Sequence, residues 1–298
     1  MNGRKQNDKR IALIGLDTSH TVAFTKLMQS PNPEERVVEG MRAVRALRFP
    51  SSFQSEEGQD ERQEQLEALG VQVTTDIREA VQDVDAVFLE INDPALHWTY
   101  FEQVAHLGLP VFIDKPLAGT LEDADNILAL ADKEGTPVWS ASSLRFIPSL
   151  SKAKETIPSP VAGHTFGPLG QAAKGSDLVW YGIHAVEMVT FLLGADIRAV
   201  RALNTGGGVT ILPRYADGTQ AVVECLRGLW QYGGRLQDKE NLVFFDTGGE
   251  SPYQPLMSAL RDFVCEGIVP VSLEHARTNL AVLLAAETSL AENREIEL

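Results

Sequence analysis

Cysteine is scarce: the 298-residue chain has two, Cys225 and Cys265. Two thiols cannot form a disulfide framework, and both lie in apolar stretches (AVVECL and LRDFVCEG), where reduced, buried cysteines are common. Long hydrophobic runs are missing too. None approaches the ~20 apolar residues that a membrane-spanning helix needs. The first run, IALIG, follows the polar MNGRKQNDKR and is too short for a signal-peptide core. The expected location is therefore the cytoplasm. Positive charge is under-represented, with 26 Lys and Arg against 41 Asp and Glu and a net charge of −15. A surface that acidic disfavours non-specific binding of nucleic acid or anionic membrane, but it leaves small-molecule pockets open.

What is present is the composition of a globular protein, 44% hydrophobic and 22% charged. The length fits two domains of ordinary size. In the first half, short apolar segments alternate with amphipathic ones. Strands are expected at Arg10–Gly15, Met41–Phe49, Val71–Thr74, Ala86–Leu89, Val111–Ile113 and Val138–Ala141. Helices are expected at Thr21–Gln29, Glu61–Leu69, Pro94–Leu107 and Leu121–Lys133, with Ser51–Asp60 as a polar loop. Gly70, Gly108 and Gly135 each close a helix before a strand. This alternation predicts a doubly wound parallel sheet, an α/β domain over residues 1–146.

The second half, residues 147–298, changes character. A linking helix is expected at Pro148–Ile157 and a helix at Asp177–Leu193, stopped by Gly194. Strands follow at Ile197–Leu203, Gly208–Arg214, Gln220–Leu226 and Asn241–Phe245, with Asp217-Gly218 as a hairpin turn. Helices at Tyr253–Cys265 and Leu273–Ala291 end the chain. Strands in a row followed by helices predict an α+β domain with a mostly antiparallel sheet.

In a doubly wound fold the first strand–turn–helix holds the ligand. Here the turn is GLDTSH, Gly15 to His20, and of a G-x-G-x-x-G fingerprint only Gly15 is present. Asp17 stands at the second glycine, where its carboxylate would repel a phosphate unless it turns away, and His20 stands at the third. Replacing Asp17 by glycine is accordingly expected to tighten cofactor binding. Thr18 and Ser19 can offer hydroxyls and N–H groups to a phosphate, while an ordinary capped turn with Asp17, Thr18 or Ser19 as N-cap fits as well. The second strand ends without an acidic residue. Arg48 and Ser51 would suit a ribose 2′-phosphate there, although a surface arginine at a strand end is equally ordinary. Lys115 follows the fifth strand at the carboxyl edge of the sheet, aimed by Pro116, or else it snorkels to solvent. His184 lies near the start of an apolar helix, whose positive end would favour a neutral imidazole able to act as a general base, with Glu187 on the same face to orient it. A buried, hydrogen-bonded core histidine is the alternative.

Together these stretches resemble the glucose-fructose oxidoreductase / inositol dehydrogenase / MocA family. The resemblance runs along nearly the whole chain and is densest from Val84 to Trp139. Asp114-Lys115-Pro116 is similar to the family's Glu-Lys-Pro, Leu144-Arg145-Phe146 to its Arg-Phe, and GIHAVEMVTFLLG to its Gly-x-His-x-x-Asp helix, with Glu187 for Asp. The resemblance implies a Rossmann domain followed by a domain whose sheet forms a homo-oligomer interface, in a dimer or tetramer. It also implies NAD- or NADP-dependent oxidation or reduction of a sugar, cyclitol or small polyol, and Arg48 tilts the expectation toward NADP. Carried over, Lys115 would hydrogen-bond the reacting oxygen and His184 would move the hydroxyl proton. Asn92, Pro94 and His97 would lie near the nicotinamide and its ribose.

Where many members carry an Asp four residues before the histidine, this chain has Trp180. Trp180 and Tyr181 could stack on a sugar face, and Asp177 and Arg145 are further candidates for substrate contact. Two other readings fit parts of the pattern. Asp17 and Trp180 would suit a non-catalytic relative that binds a small ligand or a partner. His20, His97 and His184 would suit a metal-dependent lyase or isomerase, but they lack short ligand spacing, and no metal is expected.

Overall fold

The computed structural model describes residues 8–249 and 251–298. By its contacts the chain forms two compact units. The first comprises Met1–Asp114, Glu122–Ser140 and Tyr253–Leu273; the second comprises Lys115–Leu121, Ala141–Pro252 and Glu274–Leu298. The chain thus crosses between units several times, and Tyr253–Leu273 returns to the first unit well beyond residue 146.

The first unit is built on strands β1 (Lys9–Ile14), β2 (Met41–Leu47), β3 (Gln72–Thr74), β4 (Ala86–Leu89), β5 (Val111–Asp114) and β6 (Val138–Ala141). Its sheet order is β3-β2-β1-β4-β5-β6, and the pairs β1–β2, β1–β4, β2–β3 and β4–β5 run parallel. This is the Rossmann order, with the switch point between β1 and β4. Continuous apolar strands suit a sheet covered on both faces. Ile11–Ile14, Ala86–Leu89 and Val111–Ile113 are all fully buried. Phe88, Phe112 and Trp139 pack in sequence, with ring centroids 5.8 and 4.8 Å apart. Helices α1 (His20–Gln29), α2 (Glu56–Ala68), α3 (Ile77–Ala80), α4 (His97–Val104) and α5 (Leu121–Glu134) make the crossovers. α2 begins five residues before the expected Glu61, because Ser55 caps it by accepting from the Gly58 N–H.

The second unit carries α6 (Pro148–Thr156), β7 (Ala162–Pro168), α7 (Ile183–Leu193), β8 (Ile197–Asn204), β9 (Gly208–Tyr215), β10 (Gln220–Leu226), β11 (Gly233–Gln237) and β12 (Leu242–Asp246). Helix α8 (Tyr253–Glu266) belongs to the first unit; most of α9 (Leu273–Glu292) and all of β13 (Ile296–Glu297) belong to the second. The second sheet has the order β12-β11-β7-β10-β9-β8-β13. Only β7–β10 pair in parallel; the other pairs of known register are antiparallel.

Two strands, β7 (AGHTFGP) and β11 (GGRLQ), escape a sequence reading because their glycines look like loop. They are required by close packing instead. A Cβ on Gly167 would lie 2.7 Å from the Tyr232 ring, and one on Gly234 would lie 2.1 Å from the His164 carbonyl oxygen. The expected helix at Asp177–Leu193 also differs in detail. A π-helical turn, Leu178–Gly182, runs directly into α7.

Candidate functional site

In the first unit, β1 ends in a turn that only glycine can enter. Gly15 has φ +121°, and a Cβ there would sit 2.1 Å from the Glu90 carbonyl oxygen. The Thr21 hydroxyl donates to the Gly15 carbonyl at 2.9 Å and ties the turn to α1. Asp17 does not face outward as a phosphate-repelling group. Its carboxylate is buried, accepting from the Ser51 hydroxyl at 2.7 Å and from the Asn92 N–H at 3.0 Å, while the Asn92 side-chain amide donates to the Asp17 carbonyl at 2.8 Å. Burial raises its pKa, opposed by the Ser51 and Asn92 hydrogen bonds and by the nearby His97 and Arg62. Asp17 therefore pins the turn to the ends of β2 and β4. Thr18 accepts from the His20 N–H at 3.2 Å, whereas Ser19, in the N-cap position, makes no side-chain cap bond. The Thr18 and Ser19 N–H groups have no acceptor among the described residues. Those donors are what a phosphate at a helix start requires, so the turn fits a dinucleotide despite its altered glycines.

His20 takes a place that its sequence position alone did not reveal. Its ring stacks on Phe24 with centroids 5.2 Å apart and meets the edge of Tyr253 at 5.2 Å. Its Nδ1 lies 2.7 Å from Asp114 Oδ2 and 4.0 Å from Glu90 Oε2. These three side chains are the one group among the described residues whose His, Cys, Asp or Glu ligand atoms converge closely enough to hold a metal. The hydrogen bond to Asp114 accounts for the closest approach without one.

Two expected cofactor residues are committed elsewhere or inward. Arg48 does not stand open for a 2′-phosphate. Its guanidinium pairs with Glu56 and Asp60, both at 2.6 Å, and also reaches Gln63. The longer α2 explains this, since Glu56 and Asp60 are one helical turn apart on the same face. His97 is fully buried, and its Nε2 is 2.9 Å from the Ile91 carbonyl, to which it donates. Pro94 opens a 3₁₀ turn capped by the Asp93 carboxylate, which accepts from the Ala95 N–H at 3.1 Å.

In the second unit, Lys115 follows β5 through a cis bond to Pro116. It is only 8% exposed, so it does not snorkel to solvent. Its ammonium lies 3.5 Å from the Trp180 carbonyl oxygen and about 6 Å from the Trp180 and Tyr181 ring centroids. His184 is 9% exposed and packs edge-on to Tyr181 at 5.3 Å and to Tyr232 at 5.6 Å. Lys115 and His184 thus both lie against the Tyr181 ring, which the π-turn presents. Because that turn precedes α7, His184 stands more than a helical turn inside the ladder, and the helix-end field expected at it does not apply.

Glu187 does not touch the His184 ring as expected. Its Oε2 accepts from the Ser142 N–H at 2.8 Å, and the Ser142 hydroxyl meets His184 Nδ1 at 2.6 Å. Arg145, 3.7 Å from Glu187 and stacked over Phe191, belongs to this buried support; its Nη1 also reaches His275 at 3.4 Å. Burial pushes Glu187 up to about 7 against the pull of Arg145 and the Ser142 N–H. Asp177 holds Arg227 at 2.9 Å and accepts from the Ala172 N–H. Ser142, Tyr232 and the exposed Trp230, 5.6 Å from Tyr181, were not singled out by the sequence. Ser142 follows β6 at the edge where ligands bind in such sheets, which is the signal that could have found it.

Residues 9–142 match the model of an oxidoreductase family with an NAD-binding Rossmann fold. The NADP-dependent D-xylose 1-dehydrogenase of Haloarcula marismortui is 27% identical over 153 residues, 45% of this chain and 41% of that protein. The chain spans less than half the length of the curated relatives it matches. Solved structures extend the likeness of fold to the whole chain. GenD2 from gentamicin A biosynthesis, crystallised with NAD, superposes with a TM-score of 0.80 at 19% identity, covering 100% of this chain and 99% of that one. The scyllo-inositol dehydrogenase of Lactobacillus casei with NAD(H) and scyllo-inositol gives 0.79 at 15% identity, over 98% and 99%. The strand order and the glycine turn agree with that match: residues 9–142 have a Rossmann fold similar to the NAD-binding domain of the Gfo/Idh/MocA oxidoreductases.

Proposed function

We propose that the protein is a nicotinamide-dependent oxidoreductase acting on a hydroxyl or carbonyl carbon of a sugar, a cyclitol or a related small polyol. The observation that carries this reading is the shared seat of Lys115 and His184 against Tyr181. A bound nicotinamide dinucleotide supplies the hydride acceptor or donor. The Gly15–Ser19 turn holds its phosphates with the N–H groups of Thr18 and Ser19. The Lys115 ammonium donates to the reacting oxygen and stabilises the charge that develops on it. His184 exchanges the hydroxyl proton at Nε2 when its Nδ1–H donates to the Ser142 hydroxyl. Trp180, Tyr181 and Trp230 give the substrate an aromatic wall of the kind on which the apolar face of a sugar ring stacks.

The test is a turnover panel of aldoses, inositols and linear polyols with NAD⁺ and NADP⁺, run on the wild type and on Lys115→Met. The expected result is reduction of one cofactor with at least one ring substrate, lost in the variant. Turnover that survives Lys115→Met would remove Lys115 from the chemistry.

The second sheet also fits a contact between copies of the chain. Leu242 and Phe244 on β12 are 48% and 71% exposed, and Leu203 on β8 is 41% exposed. A dimer or tetramer by light scattering, dissociated by Phe244→Lys, is the expected outcome; a monomeric wild type would contradict it. Among the described residues no helix is long and apolar enough to cross a membrane.

A further inference from the structure

The loop between β10 and β11 carries Leu229 and Trp230, which are 50% and 69% exposed. A lone exposed leucine is ordinary, but a leucine and a tryptophan side by side in solvent form an apolar patch. Their loop is tied at both ends. At its start the Arg227 N–H donates to the Gly207 carbonyl at 2.8 Å, and the Arg227 guanidinium pairs with Asp177 at 2.9 Å. At its end the Tyr232 carbonyl accepts from the Thr247 N–H at 3.1 Å. The Tyr232 ring packs over Gly167, where a Cβ would come within 2.7 Å, and meets the His184 ring at 5.6 Å. Asp177 directly precedes the π-turn that presents Tyr181. Both ends of the loop are thus fixed to elements that carry the seat of Lys115 and His184.

Trp230 continues the aromatic surface of that seat outward. Its ring stands at 89° to Tyr181 with centroids 5.6 Å apart, and Tyr181 is its one ring partner among the described residues. The Lys115 ammonium lies 6.0 Å from the same Tyr181 ring. From Lys115 over Tyr181 to Trp230 the surface therefore runs one aromatic spacing beyond the ring that faces the lysine. The reacting ring needs only the inner part. Beyond it, Leu229 and Trp230 offer an apolar face and, apart from the indole N–H, no side-chain hydrogen-bonding group. The charge on the loop, Arg227, is matched by Asp177, so the patch favours an uncharged group over a phosphate or carboxylate.

We propose that Trp230 and Leu229 form a second substrate subsite, which takes an uncharged apolar or aryl substituent carried by the reacting ring. The inference rests on the reading of Lys115 and His184 as the reacting centre. It narrows the preferred substrate from free polyols to ring alcohols that bear such a group, as in a glycoside or an ether. A loop held in place before the ligand arrives loses little freedom on binding, which suits it to this task.

The experiment uses two matched pairs of probes: methyl and phenyl β-D-glucopyranoside, and 3-O-methyl- and 3-O-benzyl-D-glucose. Binding to wild type, Trp230→Ser and Leu229→Ser is titrated by saturation-transfer NMR with NADH present. Turnover with NAD⁺ and NADP⁺, melting curves and light scattering are recorded for each protein. In at least one pair the aryl member is expected to bind wild type about tenfold more tightly than its methyl partner, through the apolar area that the loop covers. That ratio should fall to about one in Trp230→Ser and part of the way in Leu229→Ser. Equal binding within both pairs, or no binding of any of the four probes, overturns the subsite. A preference that survives in a Trp230→Ser protein melting like wild type overturns it too. If Trp230→Ser does not fold, an unchanged preference in Leu229→Ser does the same. An altered oligomeric state in Trp230→Ser with the ratio intact assigns the patch to a contact between copies and also overturns the subsite. The two readings fail separately. Turnover of free sugars or inositols without an aryl preference keeps the Lys115 and His184 reading and removes the subsite. A Trp230-dependent aryl preference without turnover of any compound keeps the subsite and removes that reading.

Discussion

Ser142 Oγ and His184 Nδ1 lie 2.6 Å apart, and the Ser142 N–H is held in turn by Glu187. The hydroxyl already accepts from the Leu144 N–H at 3.1 Å. This chain of contacts fixes the imidazole plane and favours the tautomer that leaves Nε2 able to take a proton. Ser142→Ala should lower kcat about tenfold, the scale of one lost supporting hydrogen bond. His184→Ala should lower it by about a hundredfold or more. Both proteins should melt within a few degrees of wild type. Unfolded variants with no separable kinetic effect would mark His184 as a core residue only.

Asp17→Gly is now expected to weaken cofactor binding, the reverse of what the missing glycine implies. The substitution removes acceptors for Ser51 and for the Asn92 N–H and frees the turn from β2 and β4. Leaving buried donors unpaired costs about 1–3 kcal/mol, so the melting temperature should fall by several degrees. Tighter binding of NADH by a stable Asp17→Gly protein would contradict this placement.

Glu187 and His275 tilt stability in opposite directions with pH. Glu187 titrates near 7 in the folded chain against an ordinary 4.5. A raised folded pKa means that the native state binds more protons in that window. The contribution is therefore complete below about 4.5 and is lost as pH rises through 7. Burial, reinforced by Arg145 and Lys154, pushes His275 down to about 4 from 6.5. Its contribution is present above 6.5 and is lost as pH falls through 4. In melts across this range, Glu187→Gln should flatten the neutral side of the profile, and His275→Gln the acid side. Profiles parallel to wild type would contradict both assignments.

Gly15→Ala should abolish folding of the first unit or reduce its yield sharply. A Cβ would meet the Glu90 carbonyl at 2.1 Å, and φ +121° is closed to alanine. A soluble variant with unchanged melting would refute the tightness of the turn.

Gly15, Lys115 and His184 were legible because local punctuation marks them: a strand ending in glycine, a strand ending before proline, and a histidine in an apolar helix. The parallel sheet was legible for the same reason, since each buried strand is one apolar run. The direction of Asp17 was not, because its partners Ser51 and Asn92 are 34 and 75 residues away. The ion pairs of Arg48 were not legible for want of one helix start: with Glu56–Asp60 taken as loop, nothing indicated that both acids would face it. The strands β7 and β11 were hidden by glycines whose reason is a neighbour across the sheet, and no window along the chain contains that neighbour. Ser142 and Glu187 support His184 as a relay across 42 and 45 residues, a link that only folding makes.

The most direct measurement of the central claim is equilibrium binding of NADH and NADPH to the wild-type chain, followed by cofactor fluorescence. The account predicts saturable one-to-one binding of at least one of them below millimolar concentration, weakened by Asp17→Gly. No saturable binding of either at millimolar cofactor, from a chain that melts cooperatively, would contradict it.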